Sequence, residues 1–363
     1  MRLFKLFICI VAVLALFSGC SKKDDGGVRV IIVGTDGLRW QEVFGGIDPA
    51  VVDSSKFNGK EVAKNLFWKE TREERREALM PFTWDFIAKN GIMIGDKENG
   101  SSFSVTNDMW FSYPGWSEMI VGYADDEHIR SNEGIPNPNI SVLEVAQNTE
   151  KYKGKVMAFG SWERFNEIVN EERCGFPVNA GFEGYPDGSK TSAKEEYLTR
   201  ILKGMVPYVN TVRQDVITHE FALEAMRTRH PEFLFIGYGE TDDWAHAYKY
   251  DISNICCHNF DGYLRELWEY AQSDPFYRDR TVFIVSTDHG RGWFNAWDAH
   301  GRSIEGSGDT WLMVYGKGIP AKGVLTSGEY HTNQIAPTAA KLLGIELPAH
   351  EGMGEPLDFD SMK

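Results

Sequence analysis

The segment VRVIIV (Val28–Val33) is a continuous run rich in β-branched residues, and it ends at Gly34. A run without polar alternation is typical of a strand buried on both faces in a parallel sheet. Strands that alternate with helical stretches predict an α/β fold, namely a doubly wound, mostly parallel sheet with helices on both faces. Similar apolar runs occupy 155–159, 233–238, 281–286 and 311–315, and predicted helices occupy 83–90, 141–148, 212–229, 252–272 and 334–343.

Polar residues follow three of these strands at the point where each run ends. They are Thr35-Asp36, the segment Glu240–Asp243 and the segment Thr287–His289. In doubly wound sheets, ligands bind beyond the carboxyl ends of the strands, where loops from different crossovers converge. We therefore expect the three segments to form one site.

The amino terminus carries the features of an export signal. Arg2 and Lys5 precede an apolar run from Leu6 to Phe17, and Ser18-Gly19-Cys20 follows. This pattern predicts a signal peptide over residues 1–19, a lipidated Cys20 and a polar tether over 20–27, ahead of a single catalytic domain over 28–363. The protein would then be held in the cell envelope, anchored to the outer membrane on its periplasmic side or at the cell surface. A plain cleaved signal, in which Cys20 is incidental, is the alternative.

The overall charge argues against one class of partner. The formal net charge of -15 repels polyanions, so we expect no binding of nucleic-acid polymers. Small phosphate esters are not excluded, because a bound metal ion reverses the local field inside a pocket.

Aspartate and histidine recur at spacings suited to metal ions. The segments are Asp36-Gly37, Asp242 with His246, Asp288-His289 and the isolated His331. Carboxylate oxygens and imidazole nitrogens together suit zinc and similar divalent ions. Two such ions can hold both the attacking and the leaving oxygen of a phosphoryl transfer.

This ordered set resembles the alkaline phosphatase superfamily, particularly its type I phosphodiesterase and nucleotide pyrophosphatase branch. The resemblance spans Val28 to about Leu347. It implies a hydrolase that cleaves phosphate monoesters or diesters with two divalent ions, with zinc preferred and manganese or magnesium as alternatives. One ion would be held by Asp242, His246 and His331. The other would be held by Asp36, Asp288 and His289, with Ser112 beside it.

The resemblance also indicates the nucleophile. The family places a serine or threonine before an aromatic-proline pair, with a glycine ten residues later, and Ser112-Tyr113-Pro114 followed by Gly122 fits this spacing. Thr106 is the second candidate. A serine hydroxyl needs activation before it attacks, and a neighbouring metal provides it. The product of the attack would be a phosphoserine.

Three further residues are candidates for the pocket. Asn132 lies in a segment where related phosphodiesterases keep an asparagine that donates to a phosphoryl oxygen, although the spacing is one residue short. We predict that its amide stabilises charge in the transition state. Arg164 follows a strand and is placed to reach a phosphate, and His300 is a candidate to line the pocket.

Other functions remain open at this stage. A sulfatase pattern would need an arginine where Trp116 stands, and a phosphoglycerate mutase would need a long insertion after the nucleophile. A non-catalytic envelope lipoprotein is a third alternative, although it would leave six metal-binding side chains without a task.

Overall fold

The computed structural model describes residues 27–184 and 191–363. It contains an eight-stranded sheet in the order β10-β2-β9-β7-β1-β6-β4-β5 and a small sheet in the order β11-β3-β8. The strands are β1 Arg29–Thr35, β2 Gly91–Ile94, β3 Ser102–Ser104, β4 Val156–Gly160, β5 Val178–Ala180, β6 Phe233–Tyr238, β7 Thr281–Thr287, β8 Asp309–Thr310, β9 Leu312–Gly316, β10 Gly323–Val324 and β11 Glu329–His331.

Strand β1 lies at the centre of the large sheet, and all seven of its residues are buried. It pairs in parallel with β6 on one side and with β7 on the other. Its side chains alternate between two apolar cores, because Ile31 and Val33 enter one and Val30 and Ile32 enter the other. The continuous apolar run is thus explained by burial on both faces.

Helices cover both faces of the large sheet. One core joins the sheet to helices from 40–86 and 193–273, and the other joins it to helices from 112–174 and 335–343. The α/β prediction is therefore confirmed. The helices are Trp40–Gly45, Pro49–Asp53, Lys60–Phe67, Arg72–Leu79, Ala88–Asn90, Ser112–Val121, Val142–Asn148, Phe165–Ile168, Glu171–Cys174, Ala193–Gly204, Asp215–Arg229, Glu240–His246, Tyr250–Ser273 and Ile335–Leu343, with a π-helical turn at Thr83–Ile87.

Strand β9 departs from the parallel pattern. It runs antiparallel to β7 and to β2. The chain therefore enters β9 at the sheet edge where β7 ends, without crossing the sheet. The connection between these two strands stays at the carboxyl edge.

The predicted signal peptide, the lipidation site Cys20 and all but the last residue of the tether lie outside the described residues. Within 27–184 and 191–363, no helix has both the length and the apolar character needed to cross a membrane.

Candidate metal centre and nucleophile

The sheet register brings the ends of three strands together. Thr35 at the end of β1 is paired with Tyr238 of β6 and with Thr287 of β7. Each of these strands is followed by acidic residues, so their side chains meet beyond the carboxyl edge. Three buried carboxylates result, those of Asp36, Asp242 and Asp288.

The first group of prospective metal ligands consists of Asp36, Asp288 and His289. Their ligand atoms all lie within 4.8 Å of one another. The His289 Nε2 atom is 3.1 Å from Asp36 Oδ1 and 3.6 Å from Asp288 Oδ2. Its other ring nitrogen, Nδ1, lies 2.7 Å from the Gly290 carbonyl oxygen, and donation there keeps Nε2 facing the carboxylates.

The electrostatics of this group indicate a cation. Burial, and then the charge of Asp242, raises the pKa of Asp36, while burial and Asp36 raise the pKa of Asp288 well above its ordinary value. Burial lowers the pKa of His289, but the carboxylates of Asp288 and Asp36 outweigh it and raise that pKa to about 9. The Asp288 Oδ2 atom is buried without a hydrogen-bond partner in the described part of the chain. A divalent ion would supply the missing partner.

Ser112 lies beside this first group. Its Oγ is 3.3 Å from Asp36 Oδ1 and 3.3 Å from His289 Nε2, and the residue is only 5% exposed. Ser112 is the first residue of the helix Ser112–Val121 and follows the extended residue Phe111. The amino end of a helix favours negative charge, so a phosphoryl group on this oxygen would be stabilised by the backbone.

Two close contacts fix the helix Ser112–Val121 against the strands. A Cβ on Gly115 would come 2.1 Å from the Asp288 carbonyl oxygen, so only glycine permits this approach. A Cβ on Gly34 would come 2.3 Å from the Trp116 ring, whose Nε1 donates to Asp36 Oδ2 at 3.4 Å. Trp116, which occupies the sulfatase arginine position, therefore packs against β1 and orients the Asp36 carboxylate.

Thr106 is hydrogen-bonded to Glu118 and not to the carboxylates of the first group. Its hydroxyl donates to Glu118 Oε1 at 3.0 Å, and its backbone N–H donates to the same carboxylate. Glu118 is 1% exposed and also accepts from the backbone N–H of Asn107. Ser112, and not Thr106, is the hydroxyl that the structure brings to the carboxylates.

The second group of prospective ligands consists of Asp242, His246 and His300. The helix Glu240–His246 places Asp242 and His246 one turn apart on the same face, with His246 Nε2 3.1 Å from Asp242 Oδ2. The His300 Nε2 atom lies 2.9 Å from His246 Nε2 and 3.7 Å from Asp242 Oδ1. One oxygen and two nitrogens thus converge on a common space.

The orientation of His300 suits a ligand role. Its Nδ1 lies 3.4 Å from the Trp110 carbonyl oxygen, so donation there turns Nε2 toward Asp242. Burial, and then the charge of His289, lowers the pKa of His300 to about 2, which keeps the imidazole neutral. Neutral imidazole is the form that binds metal ions.

His331 is not among the grouped prospective ligands in the described part of the chain, so its assignment to a metal remains a prediction. It ends β11 in the small sheet, where its Nδ1 lies 3.1 Å from Ser104 Oγ. No hydrogen bond or ion pair joins His331 to Asp242 or His246 in the described residues. The structure brings His300 to that place instead, because the chain enters β9 from the carboxyl edge.

A buried arginine borders the second group and was missed in the sequence. Arg291 is 1% exposed and pairs with Asp242, while its Nε donates to the Trp297 carbonyl at 2.8 Å. Burial would raise the pKa of Asp242, but Arg291 and the neighbouring histidines His246 and His300 together outweigh it and hold that pKa well below its ordinary value. The sequence signal for Arg291 was its position directly after Asp288-His289-Gly290.

Asn132 contacts Tyr113, the residue directly after Ser112. Its side-chain oxygen accepts the Tyr113 backbone N–H at 3.0 Å, which fixes the orientation of the amide. The side-chain NH₂ group is therefore left to donate elsewhere. Arg164 contacts the same residue, because its Nε donates a hydrogen bond to the Asn132 backbone carbonyl at 3.1 Å. It also pairs with Glu163 at 3.1 Å.

No protein-family model matches the chain, and no curated protein matches it by sequence. Solved structures do match its fold. Wild-type alkaline phosphatase PafA has 10% identity and a TM-score of 0.57, covering 91% of this chain and 98% of that chain. The lipoteichoic acid synthase LtaP from Listeria monocytogenes has 12% identity and a TM-score of 0.57, covering 93% and 78%. The phosphonate monoester hydrolase of Agrobacterium radiobacter has 13% identity and a TM-score of 0.55, covering 91% and 76%. The chain thus has an alkaline phosphatase-like fold.

Proposed function

We propose that the chain is a two-metal hydrolase of the alkaline phosphatase superfamily, of the type I phosphodiesterase and nucleotide pyrophosphatase kind, that cleaves a phosphate monoester or diester through Ser112. The observation that carries the proposal is the position of Ser112 Oγ, 3.3 Å from both Asp36 and His289. A hydroxyl in this surrounding, at the start of a helix, is placed for attack on phosphorus.

Two divalent ions, preferably zinc, would be held by the two groups of side chains. Asp36, Asp288 and His289 would form one site, and Asp242, His246 and His300, whose ligand atoms lie 2.9 to 3.7 Å apart, would form the other. When bound, the ions would neutralise the buried carboxylates and activate the oxygens of the reaction. Oxygen and nitrogen donors together suit zinc, with manganese and magnesium as alternatives.

The reaction of Ser112 has two steps. A bond forms between Ser112 Oγ and phosphorus, and the bond from phosphorus to the ester oxygen breaks, so an alcohol leaves and takes up the serine proton. Water then attacks the phosphoserine, restores the hydroxyl and releases the phosphate. The helix Ser112–Val121 favours the negative charge on its first residue during both steps.

Asn132 and Arg164 would act on the phosphoryl group from the protein side. The Asn132 amide NH₂ is free of the Tyr113 contact and would donate to a phosphoryl oxygen. Arg164 is 27% exposed and lies against the Asn132 backbone. Its guanidinium would be able to contact an anionic substrate from the open side of the site.

We also propose that the protein works in the cell envelope, lipid-anchored through Cys20 at the outer membrane. The support is the Ser18-Gly19-Cys20 sequence after an apolar run. With a net charge of -15, the preferred partner is a small phosphate ester rather than a nucleic-acid polymer.

The test is a panel of nitrophenyl esters given to protein of measured metal content. The panel contains 4-nitrophenyl phosphate, bis(4-nitrophenyl) phosphate, a nitrophenyl nucleotide and 4-nitrophenyl sulfate. We expect two equivalents of divalent ion and hydrolysis of at least one phosphate ester ahead of the sulfate. Protein that binds no divalent ion and cleaves no ester would show that the chain is a binding module.

A further inference from the structure

A cavity of about 530 Å³ is lined by residues that include none of the prospective metal ligands. One wall contains Trp40, which comes shortly after Asp36, and another contains Trp293 and Phe294, which come shortly after His289. The two walls are joined, because Arg39 Nη1 donates to the Gly292 carbonyl at 3.3 Å. The cavity is therefore lined by the segments that follow Asp36 and His289 in the sequence.

Aromatic rings give the cavity its apolar surface. Trp40 is 7% exposed, whereas Trp293 is 36% and Phe294 is 61% exposed. Adjacent exposed rings such as Trp293 and Phe294 form a contiguous apolar patch, which is the kind of surface that marks binding sites. Flat rings of a ligand, whether aromatic or sugar, pack well on such faces.

The lining is positive although the chain is strongly negative. Four cationic side chains and two carboxylates line the cavity, in a protein of formal net charge -15. Three of the cations are neutralised: Arg39 pairs with Asp48 and Glu42, Arg72 with Asp96 and Glu98, and Lys97 with Asp309.

Arg75 is the exception among the lining cations. Its Nη1 donates to the backbone carbonyls of Lys69 and Glu70 at 3.2 and 3.1 Å, and no carboxylate pairs with it in the described residues. The buried Arg75 Nε and the buried Trp40 Nε1 have no hydrogen-bond partner in the same part of the chain. An unneutralised guanidinium beside unpartnered donors favours an anion.

We propose that this cavity binds a ring-bearing organic anion, with its ring against Trp293 and Trp40 and its acidic group at Arg75. The ring would exclude water from the apolar walls, and the acid would neutralise the remaining cation. This goes beyond ester hydrolysis, because binding here requires neither metal ion nor Ser112.

Four small probes that cannot be hydrolysed test the proposal by calorimetry or ligand-observed NMR. Benzoate and glucuronate carry an acidic group on an aromatic and on a sugar ring, and benzamide and glucose are their neutral counterparts. We expect at least one acid to bind about tenfold more tightly than its neutral counterpart. The acidic probe that binds more tightly shows whether the cavity prefers an aromatic ring or a sugar ring. Equal binding of acid and neutral probe, or no binding of any probe, would refute the proposal.

Variants and chelation locate the probe. Arg75→Gln removes the charge and should weaken binding of the acidic probe about tenfold. Trp293→Ala, at a partly exposed position, should also weaken binding of that probe without affecting the fold. The matched controls Lys89→Gln and Tyr197→Ala change an exposed cation and an exposed ring outside the cavity and should have no effect. Binding should survive treatment with EDTA. Loss of binding on chelation, or unchanged binding in both cavity variants, would place the probe elsewhere and overturn the assignment.

Discussion

The imidazole rings of His289 and His300 are stacked, with their centroids 4.1 Å apart and their planes at 26°. His289 belongs to the group of prospective ligands beside Ser112, and His300 belongs to the other group. The two prospective metal sites therefore share a wall made of two ligand rings. Each of these rings therefore packs against a prospective ligand of the other site.

Replacing His300 with alanine should empty the site formed with Asp242 and His246. A site that loses one of three protein ligands loses more than about 100-fold in metal affinity, so the variant should retain about one equivalent of metal. Metal content measured by mass spectrometry checks this. His331→Ala is the matched control and should retain both ions. The opposite result, with metal lost from His331→Ala alone, would restore the assignment made from the sequence.

Ser112→Ala should keep both metal ions and lower kcat by about 10³-fold or more, because the attacking oxygen is gone. Ser112→Thr should keep part of the activity, since a hydroxyl remains. Thr106→Ala should lose far less, because that hydroxyl contacts Glu118. Mass spectrometry of protein quenched during turnover should find phosphate on Ser112. Phosphate on Thr106 would refute the assignment of the nucleophile.

Asn132→Ala should lower kcat/KM by about 10²-fold while leaving metal content unchanged, because it removes a donor to the phosphoryl group. The Tyr113 N–H would also lose its acceptor. Asn132→Asp keeps that acceptor and replaces the donor with a negative charge, so it should be at least as inactive as the alanine variant. Full activity of Asn132→Asp would show that the amide does not face the substrate.

Removing the metal should make stability depend on pH. The folded pKa values of Asp36 and Asp288 are raised by burial and by neighbouring carboxylates, and that of His289 is raised to about 9. Groups with raised pKa values contribute stability that is present below their unfolded pKa and lost as pH rises through the folded value. The Tm of EDTA-treated protein should therefore fall as the pH rises from about 6.5 to about 9, the range between the ordinary and the folded pKa of His289, more steeply than that of metal-loaded protein.

Asp288→Asn is the control for this effect, because it removes one of the repelling charges at nearly constant volume. Its chelated form should show a shallower fall in Tm over the same pH range. Identical slopes for chelated and metal-loaded parent protein would contradict the electrostatic account of the site.

Cys20→Ser should release the protein from membranes, because lipidation at this residue is the anchor that the amino-terminal sequence predicts. Fractionation followed by immunoblotting measures the distribution. Ser21→Ala is the matched control and should remain in the membrane fraction. Membrane retention of Cys20→Ser would indicate another anchor, whereas a parent protein that is already soluble would favour the plain cleaved signal.

The central strands were predictable because burial on both faces leaves a continuous apolar run, as in β1. The convergence of the residues directly after these strands was also predictable, because parallel strands end at the same edge of the sheet. Asp36 and Asp288 follow such strands, and the structure brings them together.

His300 could not be predicted as a metal ligand from the sequence, because a residue that precedes a parallel strand would lie at the opposite edge of the sheet. Strand β9 is antiparallel, so its preceding segment lies at the site. Pairing direction depends on contacts between distant parts of the chain and is not visible in an apolar run of five residues. The place of His331 depends on the small sheet, whose short strands carry little sequence signal.

The antiparallel direction of β9 also affects how the segment between β7 and β9 could change during evolution. The segment between β7 and β9 carries His289, Arg291, Trp293 and His300, and both of its ends are fixed by neighbouring strands. Its length is not constrained by the sheet, because no crossover has to span a face. Insertions and deletions there would reshape the space around Ser112 while leaving the scaffold intact, so this segment is where new ligand preferences would arise with the least change to the fold.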